Sequence, residues 1–237
     1  MRNALLLVCL VACGEPKYVA KPLPELIANP RRAAISVSTL LLPDGERLRW
    51  EVHHKGFTIG RAELVVGGAR ITSRFRTSQL ASMFARAEHE LTTTLAHAGT
   101  YPDFASEAAV VDGEHENYEI SFDRSVYVIA GKARRIPDGV GHTLHSALGV
   151  LRAWASPTAR PGYLNVLHAG ELYRLDVDTP TREDWRGTPT LKIEARILGT
   201  EKPILVTMWL TANGPHTPIR IAISHDGKQL DAERIDD

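Results

Sequence analysis

The chain has 237 residues, 43% of them hydrophobic and 24% charged, with Lys+Arg and Asp+Glu equal at 28 each. This is the composition of a globular domain, not of a disordered tail. A formal charge of zero excludes the basic excess of a nucleic-acid binder and a polybasic grip on anionic lipid, and the apolar run Ala4–Ala12 is too short for a membrane span.

The amino terminus comes first. Met1-Arg2-Asn3 is a short basic start, Ala4–Leu10 an apolar core, and Leu10-Val11-Ala12-Cys13 follows. That is the architecture of a secretory signal peptide. Its ending resembles the bacterial lipobox, in which the signal is cut before a diacylated Cys whose new amino end is acylated. On that resemblance residues 1–12 are a lipoprotein signal peptide and Cys13 carries diacylglycerol and a fatty acyl chain such as palmitate. No other cofactor is expected. Cys9 would leave with the signal, so no disulfide and no Cys-based zinc site can form. Several acyl chains hold a protein to a bilayer where one is marginal, so the chain is expected to be anchored to the membrane rather than to span it. Gly14 stands where an Asp retains enterobacterial lipoproteins in the inner membrane, which implies the outer membrane and its periplasmic face. Pro16, Pro22, Pro24 and Pro30 make residues 13–34 a lipidated, extended tether. Residues 35–237 are expected to form a single β-rich domain.

Within that domain Arg47–His54 alternates, with Leu48, Trp50 and Val52 on one face. Lys55-Gly56 is a turn signal, and Phe57–Val66 follows, where Gly60 breaks the period of two and marks a bulge. Gly67-Gly68 is a hairpin signal before Ala69–Ser78. Glu88–His97, Phe104–Val111 and His115–Ala130 continue the pattern, with Asp112-Gly113 as another hairpin turn. The rhythm resumes at Tyr163–His168, Glu171–Asp178, Leu191–Leu198, Ile204–Thr211 and Ile219–Ser224, with Asn213-Gly214 and Asp226-Gly227 as turns. One segment departs from it: Leu144, Ala147, Leu148, Leu151 and Trp154 recur at helical spacing, predicting one amphipathic helix over about 142–155. The fold expected is mainly β, a strongly curved antiparallel sheet or half-open β-barrel with that helix packed against it.

An ordered set of motifs resembles the domain-of-unknown-function family 3108 of bacterial exported proteins. It comprises Gly45-Glu46-Arg47-Leu48-Arg49-Trp50-Glu51-Val52 with Gly56–Leu64, then Tyr101-Pro102-Asp103-Phe104 and Ile136-Pro137-Asp138. Leu144-His145-Ser146-Ala147-Leu148 with Leu151-Arg152, and Trp209-Leu210 with Pro218-Ile219-Arg220-Ile221, complete it. The resemblance spans roughly Gly45 to Leu230. It implies an exported protein shaped like the curved half-barrels that shuttle lipoproteins and lipids across the periplasm. His142 or His145 stands where the family prefers Asp and Pro, so no role of that Asp carries over.

Candidate chemistry is sparse. His142 and His145, at i and i+3, would share a helix face and are the candidate metal ligands; His168, Glu171 or Asp138 would have to join them by folding, since a catalytic zinc needs three protein ligands. No metal is expected. Gly141–Ser146 lacks the Gly-x-Ser-x-Gly elbow of a serine hydrolase. Carboxylate pairs such as Asp176 and Asp178, two apart on one strand face, have the composition that glycan acid–base chemistry uses, though such a pair is more often a solvated strand face. Arg61, Arg70, Arg74, Arg76 and Arg86, joined by Arg134, Arg135 and Arg152, could form a basic stripe, set against Glu63, Glu88 and Glu90. With no catalytic constellation, the sequence reads as a noncatalytic, lipid-anchored envelope protein. It would bind an apolar or lipid ligand in a groove of Trp50, Phe57, Leu64, Phe75, Phe122, Leu148 and Leu151, or an outer-membrane protein partner. The alternative is an envelope hydrolase of glycan or peptidoglycan, metal-assisted through His142 and His145.

Overall fold

The computed structural model describes residues 32–83, 85–96, 99–123, 125–137, 139–198, 200 and 202–235. The signal peptide, Cys13 and the tether up to residue 31 lie outside the described residues, as do His97 and Asp138. After β1 (Ala33–Ala34) the chain runs through β2 (Arg47–His54), β3 (Phe57–Gly67), β4 (Arg70–Thr77), the short helix α1 (Gln79–Ser82), β5 (Ala87–Leu95), β6 (Pro102–Val111), β7 (Glu114–Asp123), β8 (Val126–Ile129) and β9 (Lys132–Arg135). Then come β10 (Gly141–His142), the helix α2 (Leu144–Trp154), β11 (Gly162–His168), β12 (Glu171–Val177), β13 (Thr181–Trp185), β14 (Thr188–Leu198), β15 (Ile204–Thr211), β16 (Pro218–His225) and β17 (Lys228–Arg234).

All the described strands join one sheet. β2 to β9 form an antiparallel meander, β11 to β17 form a second, and β17 pairs with β2 to fuse them. β1 and β10 lie parallel beside β11 at one end, and β9 closes the other. Side chains span the seam between those ends: Asn165 donates to the Pro137 carbonyl at 2.8 Å, and Ile136 packs with Phe122, Tyr127 and Leu167. The curvature is therefore nearly closed without a final strand pairing.

The alternation of the sequence sets the inner face. Leu48, Trp50 and Val52 of β2 are buried, as are Leu64 and Val66 of β3, Ile71 and Phe75 of β4, and Leu191, Ile193 and Ala195 of β14. The register slips between Val52 and His53, leaving Ile59 as an extra residue beside Gly60. A Cβ on Gly60 would meet the Arg76 carbonyl oxygen at 2.5 Å, so the bulge needs glycine there. Lys55-Gly56 and Asp112-Gly113 turn on two successive residues of positive φ, the backbone of a two-residue hairpin that continues the strand twist.

α2 fills the concavity. Thr143 caps it, accepting from the Ser146 N–H, while the Ser146 hydroxyl accepts from the Thr143 N–H. Its face of Ala147, Val150 and Leu151 packs on β11, β12, β14 and β15, and Leu148 reaches the cluster of Leu48, Trp50, Leu64 and Val66.

Four expectations are corrected in detail. The single run 115–130 divides into β7 and β8, because a turn intervenes before Val126. His142 belongs to β10 and precedes the helix cap, so it shares no helix face with His145. Arg32 of the expected tether donates to the Val177 carbonyl at 2.8 Å and pairs with Asp178, while Ala33–Ala34 pairs with β11. Much of the basic stripe is paired with acids: Arg61 with Glu51, Arg74 with Glu90 and Arg76 with Glu88 across strands, and Arg86 with Glu88 two residues along. Arg152 is not on that surface at all but fully buried.

Candidate functional site

Polar groups buried on the inner face mark where this sheet departs from a plain apolar core. On β5 the inward residues are Ala87, His89, Leu91 and Thr93; on β6 they are Ala105, Glu107 and Ala109. Glu107 lies opposite Leu91, one inward position from His89. β11 ends at His168, and the Ala169-Gly170 turn swings its imidazole and the Ala169 N–H onto Glu107. His89 Nε2 donates to Glu107 Oε1 at 2.7 Å, and Ala169 N donates to Glu107 Oε2 at 2.8 Å. His168 Nδ1 stands 2.8 Å from the same Oε1, a charge contact poorly aligned for a hydrogen bond, so both imidazoles converge on one carboxylate oxygen. The two imidazoles meet edge to face with centroids 5.6 Å apart. Burial by itself would raise the Glu107 pKa, but the imidazoles of His168 and His89 outweigh it and hold the carboxyl well below the usual carboxylate range. Glu107 is thus an anion flanked by two ring nitrogens.

A second network adjoins the first. His145 Nδ1 is 3.0 Å from Thr93 Oγ1, and Thr93 donates to Thr143 Oγ1 at 2.9 Å. Nε2 of His145 lies 2.8 Å from Ser73 Oγ. With Thr93 donating onward, His145 donates from Nδ1 and accepts from Ser73, which is the arrangement of a neutral imidazole. Burial, then repulsion by His89, pushes its pKa down to about 3, against a smaller lift from Glu107. Burial pushes His142 down to about 4, and its Nδ1 is buried without a partner among the described residues.

The structure therefore does not join His142 and His145 at one ion. Of the residues named beside them, His168 does enter a cluster, with His89 and Glu107 instead, while Glu171 is exposed across the hairpin from it. His89 and Glu107 carried one legible signal, a polar residue at an inward position of an alternating strand. Asp176 pairs with Arg174 and Arg32, and Asp178 with Arg32, so neither carboxylate faces an open site.

The residues expected to line an apolar groove are, apart from Phe57, packed on the inner face in adjoining clusters. Trp50 and Leu64, with Leu148 against them, lie in one packed cluster, Phe75 in a second, Phe122 in a third and Leu151 in a fourth. Phe57 is 74% exposed, because it starts β3 at a hairpin rim where the alternation has no interior to face. Leu80 and Met83, 68% and 78% exposed, belong to the segment that follows β4 and is tied to the start of β3. Ser78 ties their segment to β3, its N–H donating to the Ile59 carbonyl at 2.8 Å and its hydroxyl to the Thr58 carbonyl. At the carboxyl end of α2 a cleft of about 650 Å³ opens, lined by Arg182, Glu183, Asp184, Thr190, Asn213 and His216 among others. Ala155, Pro157, Pro189, Leu191 and Ala212 also line it, so its wall mixes polar and apolar groups.

This geometry has a counterpart among solved structures. The β-barrel-like protein of the domain of unknown function DUF1849 from Brucella abortus superposes with a TM-score of 0.59 at 11% identity, over 80% of this chain and 95% of that one. The fold is β-barrel-like. At that identity the likeness extends to fold alone. The lipoprotein LppX of Mycobacterium tuberculosis and LprF of Mycobacterium bovis each align over 80% of this chain and 84% of theirs, at 12% identity. Their TM-scores of 0.26 are too low to speak to fold or ligand. No family model and no curated protein matches the chain.

Proposed function

We propose that this is a noncatalytic envelope protein of the 3108 family, anchored to the outer membrane through lipidated Cys13, that docks onto the adjoining bilayer by an apolar rim. The observation carrying this reading is the contrast between a filled interior and an exposed tip. Trp50, Leu64, Phe75, Phe122 and Leu151 are buried in packed clusters, with Leu148 packed beside them, while Phe57, Leu80 and Met83 stand in water on neighbouring segments. A lipid carried inside the sheet would have to displace α2. A bilayer, by contrast, is always within reach of a domain tethered to it. Burying three such side chains contributes at most about 5–9 kcal/mol, on the order of 1.5–3 kcal/mol each, enough to orient an anchored domain but comparable only to a single, marginal acyl chain.

The cysteine arithmetic supplies the test. Once Cys9 is removed and Cys13 acylated, Leu80→Cys introduces a single thiol for an environment-sensitive dye. In the lipidated protein reconstituted into vesicles, the emission is expected to shift to the blue and to be quenched by lipids carrying a quencher in the acyl region. The further change Phe57→Ser should weaken both effects. An emission identical to that of the water-exposed dye would overturn bilayer docking and leave a protein partner as the occupant of the rim.

A further inference from the structure

We propose that His89, Glu107 and His168 bind one divalent transition metal, zinc being the ion this donor set fits best, and that the ion staples the two halves of the curved sheet. Two imidazoles and one carboxylate are a zinc ligand set, with a fourth position left for water. The ligand atoms all lie within 4.8 Å of one another, and the three residues are only 8%, 3% and 5% exposed for His89, Glu107 and His168.

Two observations point to an ion rather than to a self-sufficient hydrogen-bonded triad. The first is the convergence of two buried ring nitrogens on one oxygen: His89 Nε2 at 2.7 Å and His168 Nδ1 at 2.8 Å both face Glu107 Oε1, with His168 poorly aligned to donate to it. The second is the outer support: the Ala169 N–H holds Glu107 Oε2, and so turns Oε1 towards both rings. Tetrahedral zinc at about 2.0–2.2 Å from each ligand atom sets donors about 3.3 Å apart. The present nitrogen–oxygen separations of 2.7 and 2.8 Å need to widen by only about half an ångström, within the reach of small rotamer shifts. His145 is not part of the set, because both its nitrogens are engaged by Thr93 and Ser73. His89 and Glu107 come from the first meander and His168 from the second, so an ion here would join strands distant in the chain.

The test uses the detergent-purified full chain stripped of metal, with Zn²⁺ and Co²⁺ alone as probes. One equivalent of Co²⁺ should give the visible absorption of a four- or five-coordinate nitrogen and oxygen site without a thiolate charge-transfer band, and one equivalent of Zn²⁺ should displace it and raise the melting temperature. Glu107→Gln and His168→Gln should each weaken Zn²⁺ binding by about a hundredfold or more, while His145→Gln retains it. Failure of the unaltered protein to bind Co²⁺, or undiminished binding by Glu107→Gln or His168→Gln, would overturn the proposal. Should those variants not fold, zinc-edge X-ray absorption of the unaltered protein decides: two imidazoles with oxygen support the site, and sulfur or fewer than two imidazoles overturns it.

Discussion

Arg152 shows how much one buried residue can carry here. Its guanidinium is fully buried and grips Glu46 with both terminal nitrogens, at 2.6 and 2.9 Å, while Nε and Nη2 donate to the Pro215 carbonyl. Removing one partner of such a pair leaves a buried charge without compensation, so Arg152→Ala is expected to cost about 3–5 kcal/mol in urea unfolding. Arg152→Lys should recover little, since an ammonium cannot form the two-pronged contact. The buried histidines set a pH dependence of definite sign. His142 and His145 titrate in the folded chain near 4 and 3, against an ordinary value of 6.5. Above pH 6.5 they are neutral in both states. Below it the unfolded chain takes up protons that the folded chain refuses, and stability falls by about 1.4 kcal/mol per pH unit for each group. Glu107, held low, keeps its contribution above the ordinary carboxylate range and loses it only as pH falls towards its folded value. Urea midpoints should therefore stay level from pH 7.5 to about 6.5 and drop steadily from there to pH 5, and His145→Gln should flatten that slope. A midpoint independent of pH would contradict the burial of both imidazoles.

At the scale of the element, α2 is held by its cap and by one close approach. Thr143 accepts from both the Ser146 N–H and the Thr93 hydroxyl, so Thr143→Ala removes the cap and strands a buried donor, at a cost of about 1–3 kcal/mol. Gly149 is the close approach. The Leu41 N–H donates to its carbonyl at 3.1 Å, and a Cβ there would lie 2.8 Å from Leu42 Cδ1 and 3.1 Å from Leu40 Cβ. Alanine is the better helix former by about 1 kcal/mol, yet Gly149→Ala is expected to destabilise the protein, because residues 40–42 must move off the helix. A rise in melting temperature for that variant would show that the segment yields freely. On the outer face, Trp185 and Trp209 pack tilted with centroids 5.6 Å apart, and the Arg220 guanidinium carbon lies over both rings, 4.1 and 4.4 Å from their centroids, while Arg220 pairs with Asp231. This stack folds the β13 hairpin back over β15 and explains why Trp209 is buried although it points away from the core.

At the scale of the whole molecule, the two meanders meet twice: directly where β17 pairs with β2, and through side chains at the seam around Asn165 and Ile136. α2 and the His89–Glu107–His168 cluster join the same two halves from inside. The apolar rim at Phe57, Leu80 and Met83 contributes nothing to this closure. The triple change to serine is therefore expected to change the unfolding free energy by no more than about 1.5 kcal/mol, roughly 0.5 kcal/mol for each surface substitution. A larger loss would show that the rim supports the fold instead of facing a partner.

Local rules were legible in the sequence because they act over two to four residues. The alternation of Arg47–His54 fixed both the strand and its buried face, and the helical spacing of Leu144, Leu148 and Leu151 found α2. Lys55-Gly56 and Asp112-Gly113 marked their turns through the positive φ that such turns require. Short exposed strands such as β9 and β13 were not legible, since Lys-Ala-Arg-Arg and Thr-Arg-Glu-Asp-Trp carry no apolar alternation and pair only because a neighbouring strand offers its edge. The site was hidden for the same reason. His89, Glu107 and His168 are separated by 18 and 61 positions, and no local rule relates them. His142 and His145, close in sequence, were parted by a helix cap between them. Composition and periodicity decided that the chain forms a curved β-sheet around one helix. Only the tertiary closure of that sheet decided which histidines meet and which apolar side chains remain in water, because both depend on contacts made across the full length of the chain.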